Sequence, residues 1–173
     1  MDLQWTSYTS PIGPLTLVEC VEGPLVVEFP RRAARLRWVE RVSAHRGEVS
    51  VTMGPCPVTS GWLAGYFDGR TDPFPWPEYL ASWLPPTPGQ EAVWRAICGI
   101  PYGETRTYQE IAREAGVHPR VAGQLTGANH LAILVPCHRV VGSGGGLVGY
   151  GGGLTRKRKL LDHELRVAGV RLR

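Results

Sequence analysis

The run Thr107-Tyr108-Gln109-Glu110-Ile111-Ala112-Arg113-Glu114-Ala115-Gly116-Val117-His118-Pro119-Arg120-Val121-Ala122-Gly123-Gln124-Leu125-Thr126-Gly127-Ala128 reads as two short helices with a tight turn between them. Thr107 stands three residues before Glu110, the capping-box spacing in which a hydroxyl and a carboxylate satisfy orphan amide donors at a helix start. Gly116 marks the stop, because glycine takes the left-handed conformation without strain, and Pro119 suits the first position of the next helix. Two helices joined through Gly116-Val117-His118 have the outline of a helix-turn-helix.

The second helix divides into faces. Val121, Leu125 and Ala128 recur at i, i+4 and i+7 and are expected to pack on the core, whereas Arg120, Gly123 and Gly127 share another stripe. A glycine inside a helix costs roughly 1 kcal/mol relative to alanine, so two on one stripe imply close approach to the backbone. Two occupants fit: a neighbouring helix, or a nucleic-acid groove with Arg120 projecting into it.

Upstream, Thr87-Pro88-Gly89-Gln90 repeats the capping box and opens a helix to about Cys98. Pro73, Pro75, Pro77, Pro85, Pro86 and Pro88 crowd residues 71–88, and regular structure is not expected to run through them. On the far side, residues 15–20 and 25–29 predict strands joined by a turn at Glu22-Gly23-Pro24, residues 49–53 a third strand, and residues 31–44 and 58–67 helices. The fold class that follows is an α/β N-terminal domain, residues 1–84, plus a mostly α C-terminal domain, residues 85–173, that contains the helix-turn-helix. No catalytic constellation stands in the first domain, which reads as a scaffold.

With 43% hydrophobic and 20% charged residues in a chain of 173, fibrous and disordered classes are excluded, and a core can be buried without disulfide or metal staples. No run approaches the ~18 apolar residues of a membrane span, and the start lacks a basic segment followed by an apolar one. A soluble, cytoplasmic protein is expected. Cys20, Cys56, Cys98 and Cys137 are scattered without a C-x-x-C pair, so reduced thiols and no metal site are expected. Residues 1–84 carry a net charge of −2 and residues 85–173 a net +6, giving the chain its +4, so the second half is the better partner for a polyanion.

Downstream of the two helices comes Ile133-Leu134-Val135-Pro136-Cys137-His138-Arg139-Val140-Val141. A thiol with pKa near ~8.5 needs a base or a nearby cation to react at neutral pH, so Cys beside His and Arg is a candidate nucleophile. Neighbours on a strand point to opposite faces, and Pro136 favours the turn that would bring the two side chains together. An inert buried cysteine is the competing reading. Gly142-Ser143-Gly144-Gly145-Gly146 and Gly149-Tyr150-Gly151-Gly152-Gly153 end in no Gly-Lys-Ser/Thr, so they read as a wall around a flat ligand rather than a phosphate loop. Arg156-Lys157-Arg158-Lys159 begins the last helix, where the macrodipole disfavours cations; an anion contact and a solvated face both fit.

Taken together, Gly103-Glu104, Thr107-Tyr108-Gln109, Asn129, the segment from Ile133 to Val140, Gly149-Tyr150-Gly151-Gly152, Leu160-Leu161 and His163-Glu164 resemble the O6-alkylguanine-DNA alkyltransferases, in the order that family shows them. The opening Tyr8-Thr9-Ser10-Pro11-Ile12-Gly13-Pro14-Leu15 is similar to the family's N-terminal domain. The resemblance implies that Cys137 accepts the alkyl group, that His138 draws off the thiol proton through a water while Glu164 orients it, and that Tyr108 supplies a proton or hydrogen bond to the departing guanine. It places Val140, Ser143, Tyr150 and Gly151 at the guanine pocket, with Val148 close to that wall. Asn129 is implied to hold the turn between the helix-turn-helix and the reactive segment.

The same resemblance makes double-stranded DNA containing alkylated guanine the partner, bound through the minor groove, with Gly123 and Tyr108 at the contact and Arg120 filling the gap of the flipped nucleotide. No cofactor is implied, the reaction is a single irreversible turnover, and a monomer is expected. The principal alternative is a damage-binding relative that flips alkylguanine without repairing it; such relatives lack the acceptor cysteine. A transcription factor leaves Cys137 and Tyr150 unexplained, and a thiol hydrolase leaves the glycine-striped helix without a purpose.

Overall fold

The computed structural model describes residues 2–30 and 34–169, and within these the side chains of all but 34–37. Strands β1 (Asp2–Ser10), β2 (Gly13–Cys20) and β3 (Gly23–Glu28) form an antiparallel meander. Helix α1 (Ala34–Arg46) then leads to β4 (Ser50–Met53), which pairs in parallel with β1, and the sheet order is β3-β2-β1-β4. β1 was not among the expected strands. Its leading apolar pair, Leu3 and Trp5, alternates too briefly among Gln4, Thr6, Ser7 and Thr9 to stand out, yet it is the strand that joins β2 to β4. The helix expected from Arg31 is described from Ala34; residues 31–33 lie outside the described residues.

Helix α2 (Pro57–Phe67) buries Thr59, Leu63 and Tyr66, an i, i+4, i+7 face. Its first amides are closed by Glu19, which accepts from Thr59 N at 2.8 Å and Thr59 Oγ1 at 2.6 Å, as a carboxylate at a helix N-terminus should. The proline-rich stretch is not wholly irregular: one turn of helix, α3 (Leu80–Trp83), fits between Pro77 and Pro85 and buries Leu80 and Trp83. The prolines limit its length without forbidding it.

The remaining elements are α4 (Pro88–Cys98), β5 (Arg106–Thr107), α5 (Tyr108–Glu114), α6 (Pro119–Gly127), β6 (Val140–Val141) and α7 (Leu154–Val167). Both capping boxes form, Thr87 with Gln90 and Thr107 with Glu110, and Gly116 takes φ +66° just after α5. The architecture is therefore a sheet-bearing N-terminal region followed by a mostly helical C-terminal region with a helix-turn-helix in α5 and α6.

The face of α6 differs from expectation. Ala122 and Thr126 are buried, whereas Val121 is exposed and Ala128 lies on the surface. Thr126 can enter the core because its hydroxyl donates to Ala122 O at 2.7 Å, which satisfies it within the helix. Leu125 stays partly buried, and its carbonyl accepts from Trp94 Nε1 at 2.8 Å.

One apolar cluster runs from Leu3, Leu17 and Val26 through Trp94, Ile97 and Ile111 to Leu134 and Leu160. No helix among the described residues is long and apolar enough to cross a membrane.

Candidate active site

Two short ladders bracket the reactive segment. On its N-terminal side Val27 N donates to His130 O at 2.7 Å and Ala132 N to Val27 O at 2.9 Å, so residues 130–132 extend the edge of the sheet. On its C-terminal side β6 pairs in parallel with β5, setting Thr107 opposite Val141. Between the ladders, Cys137–Arg139 form one turn of 3₁₀ helix after Pro136, which is the turn the Pro-Cys-His order suggested. Ile133 holds φ +75°, a region costly for a β-branched side chain.

Asn129 stabilises this geometry. Its Oδ1 accepts from Leu131 N at 2.9 Å, and its Nδ2 donates to Val135 O at 2.9 Å and to Cys137 Sγ at 3.1 Å. One amide thus holds the strained turn and touches the thiol sulfur.

Behind Cys137 lies a buried polar hub on Glu164. His138 Nε2 is 2.7 Å from Glu164 Oε1, Arg139 binds both carboxylate oxygens through Nε and donates through Nη2 at 3.0 Å, Tyr66 OH donates at 2.8 Å and Gly103 N at 3.1 Å. Burial alone would raise the Glu164 carboxyl, but His138 and Arg139 outweigh it and hold the pKa at about 2. His138 is pushed down by burial against the opposing pull of Glu164, so it rests as a neutral imidazole. Its Nδ1 has no hydrogen-bond partner among the described residues, leaving that nitrogen free to take a proton.

Sequence reasoning missed three members of this arrangement. In the sequence Arg139 stands out only as a neighbour of Cys137, and Tyr66 lies 98 residues from Glu164. The third is Lys157. Lys157, Leu160 and Glu164 form the buried i, i+3, i+7 stripe of α7. Lys157 Nζ donates to Val140 O at 2.5 Å and Val148 O at 3.1 Å, and its charge favours the Cys137 thiolate. Neither reading of the basic run fits all of it. Lys157 is buried, Arg156 donates to Ile12 O and Gly152 O and lies over Phe29, and Arg158 and Lys159 are exposed. An apolar spacing of α7, including Leu160, was the available signal that Lys157 faces inward.

All four thiols are pushed up by burial, so acidity does not single out Cys137. Location does. Cys137 lines a cavity of about 540 Å³ together with Tyr108, Gly123, Asn129, Tyr150 and Gly151. Cys20, Cys56 and Cys98 do not.

Tyr108 opens α5, its hydroxyl within 3.4 Å of Val148 O, and its proton is held more tightly because of burial and then Cys137. Tyr150 is half-buried, edge-on to Phe29, with its buried hydroxyl unpartnered among the described residues. Gly152 must be glycine there, since a Cβ would meet the Phe29 ring at 2.5 Å.

The other expected pocket residues stand apart from the cavity lining. Val140 supplies the carbonyl held by Lys157, Ser143 starts a second 3₁₀ turn, and Val148 is half-exposed with its side chain against Gly142. Arg120 is exposed in the first turn of α6, on the stripe of Gly123 and Gly127 that borders the cavity. A Cβ at Gly127 would meet nothing and one at Gly123 only the Tyr108 ring at 3.9 Å, so no neighbouring helix explains the stripe. Among the described residues, no group of three His, Cys, Asp or Glu is placed to hold a metal.

The fold is shared with known proteins. Residues 88–166 match the DNA-binding domain of 6-O-methylguanine DNA methyltransferase. The methylated-DNA–protein-cysteine methyltransferase of Mycobacterium tuberculosis is 38% identical over 94% of this chain and 92% of its own length, and that of Methanosarcina acetivorans 37% identical over 94% and 98%. The crystal structure of Mycobacterium tuberculosis OGT in complex with DNA superposes with a TM-score of 0.75 at 34% identity, covering 96% of this chain and 94% of that one. The chain belongs to the methylated-DNA–protein-cysteine methyltransferase family.

Proposed function

We infer that this chain repairs DNA by moving the alkyl group of an O6-alkylated guanine, chiefly O6-methylguanine, onto its own Cys137. The observation that carries the reading is Cys137 lining a cavity beside Tyr108 and Tyr150 while Asn129 touches its sulfur and a buried His138–Glu164 pair adjoins it in the chain. A stacked base hides its O6 substituent, so the nucleotide is extruded from the duplex into this cavity before reaction. The Arg120-Gly123-Gly127 stripe enters the minor groove, and Arg120 fills the gap. Residues 85–173 carry the chemistry and residues 1–84 support it.

In the reaction the Cys137 proton passes to His138 through a water, and Glu164, ionised and fixed by Arg139, favours the imidazolium that forms. The sulfur attacks the alkyl carbon, the S–C bond forms as the C–O6 bond breaks, and the electron pair leaves with guanine. Tyr108 donates a proton or hydrogen bond to the developing guanine anion, while Lys157 stabilises the thiolate before attack. The thioether is a poor leaving group, so each monomer acts once.

Intact-mass measurement after incubation with an O6-methylguanine oligonucleotide tests this. One methyl per chain, mapped to Cys137, is expected; tight binding without a mass change would make the chain a damage-binding protein instead.

A further inference from the structure

Glu164 Oε1 is a shared oxygen. His138 Nε2 lies 2.7 Å from it and Arg139 Nη2 donates to it at 3.0 Å. The Tyr66 hydroxyl donates to it at 2.8 Å from helix α2, in the half of the chain whose sequence shows no catalytic constellation. Tyr66 is 1% exposed; its ring stacks on Trp62 with centroids 5.7 Å apart and meets Tyr102 edge-on at 5.8 Å. Its carbonyl accepts from His163 Nε2 at 3.1 Å. Packing therefore holds the phenol in place, and its bond to the carboxylate is free to serve another purpose. Burial, and then the Glu164 charge, keep the Tyr66 proton on its oxygen, so Tyr66 acts as a donor at every working pH.

A carboxylate facing an imidazole stabilises the imidazolium, and a histidine already protonated at rest cannot accept a thiol proton. Each donor on Oε1 draws off part of the charge that acts on His138. Gly103 N serves Oε2 and Arg139 spans both oxygens, whereas Tyr66 serves Oε1, the oxygen His138 uses. Arg139 and Lys157 also oppose the imidazolium, through their charge, and His163 lies on the far side of the Tyr66 ring. Tyr102, Tyr150, Cys98 and Cys137 complete the titratable groups around the pair, and burial keeps all four protonated. Tyr66 is thus a neutral group on the shared oxygen, removable without changing the net charge of the hub.

We propose that Tyr66 is a positioning residue of the transfer: by occupying the Glu164 oxygen that His138 also uses, its hydroxyl keeps His138 unprotonated and ready for the Cys137 proton. This rests on the alkyl-transfer reading. The proton balance is unchanged, since the thiol proton passes through water to His138 Nδ1 while Tyr66 retains its own. The N-terminal region then contributes a side chain to the proton relay, beyond supporting the fold of the second half.

The experiment follows single-turnover transfer from free O6-methylguanine across pH in wild type, Tyr66→Phe and Tyr102→Phe. Tyr102→Phe is the control: it removes a buried hydroxyl from the same aromatic cluster, one without a hydrogen-bond partner among the described residues. In Tyr66→Phe the acid limb of the profile, where His138 takes up a proton, is expected to move up by about one pH unit, which lowers the rate within that limb about tenfold. Tyr102→Phe is expected to keep the wild-type midpoint, because a merely structural loss scales the rate alike at every pH. Magnetic resonance titration of the His138 ring in a Cys137→Ala background should show the same upward shift. Should Tyr66→Phe fold poorly, a fluorinated tyrosine at position 66, a stronger donor of the same shape, is expected to move the limb down. A midpoint that stays or falls in Tyr66→Phe, an equal rise in Tyr102→Phe, or no movement with the fluorinated residue overturns the proposal. Wild type that transfers no methyl overturns the alkyl-transfer reading, and the His138 titration, which needs no transfer, separates that failure from a failure of Tyr66 to act on His138.

Discussion

Cys137 is no more acidic than a buried thiol should be, and its reactivity has to come from neighbours that act when the proton leaves. Cys137→Ala is expected to abolish transfer while leaving DNA binding intact, and peptide mapping of the wild type should find no methyl on Cys20, Cys56 or Cys98. Because burial raises the thiol, a chain without the relay must wait for hydroxide. In His138→Ala the rate with free O6-methylguanine should climb about tenfold per pH unit between pH 7 and 9, against a shallower wild-type profile. Parallel profiles would remove the relay. Glu164→Gln is predicted to affect stability as well, because Arg139 is 6% exposed and would lose its counter-charge; a loss of about 3–5 kcal/mol, read from denaturant unfolding, is the range for breaking a buried pair.

At the level of elements, α6 carries two glycines that the protein's own packing does not require. Gly123→Ala is therefore expected to stabilise the fold, by about 0.5–1 kcal/mol, and at the same time to weaken binding to duplex DNA. A lower melting temperature would mean that the stripe serves internal packing after all. Arg120→Ala should slow repair of duplex far more than reaction with the free base, since only the former needs extrusion; equal losses would give Arg120 another role. The helix starts around this element were legible because a capping box or an N1 proline acts within four residues. Its buried face was not, because apolar character pointed to Val121 and Ala128 whereas the neighbours admit Ala122 and a self-satisfied Thr126.

For the whole molecule, charge and acid response follow from the same groups. With a net +6 in residues 85–173, affinity for DNA should fall steeply as salt rises; a flat salt dependence would argue against phosphate contacts. His130 is held neutral by burial, and by Arg41, with its pKa lowered to about 4 from 6.5, and Glu164 is lowered to about 2 from 4.5. Both folded pKa values lie below the unfolded ones, so the unfolded chain binds more protons in acid and stability is lost as pH falls. The His130 contribution goes first, between pH 6.5 and 4, and amounts to roughly 3 kcal/mol at about 1.4 kcal/mol per unit. The Glu164 contribution follows below pH 4.5. His130→Phe should flatten the pH dependence of unfolding free energy between pH 6.5 and 4, and an unaltered slope would show that His130 is not buried neutral.

Reading the chain alone was enough for the helix-turn-helix, the two capping boxes, most of the sheet and the candidate set Cys137, His138, Glu164, Tyr108 and Asn129, since these depend on neighbouring residues or on motifs in a set order. The hub on Glu164 needed folding to be seen: Tyr66, Gly103 and the adjacent pair His138 and Arg139 converge on it from three segments of the chain. The same holds for Lys157, whose place in a basic run fits an anion contact or a solvated face equally, and whose ammonium is buried against the Val140 and Val148 carbonyls. Val148 also faces Gly142, away from the cavity lining where its nearness to Tyr150 suggested it. Burial, and with it the proton affinity of every group in the site, arises from contacts between residues far apart in the chain, and no local pattern encodes it.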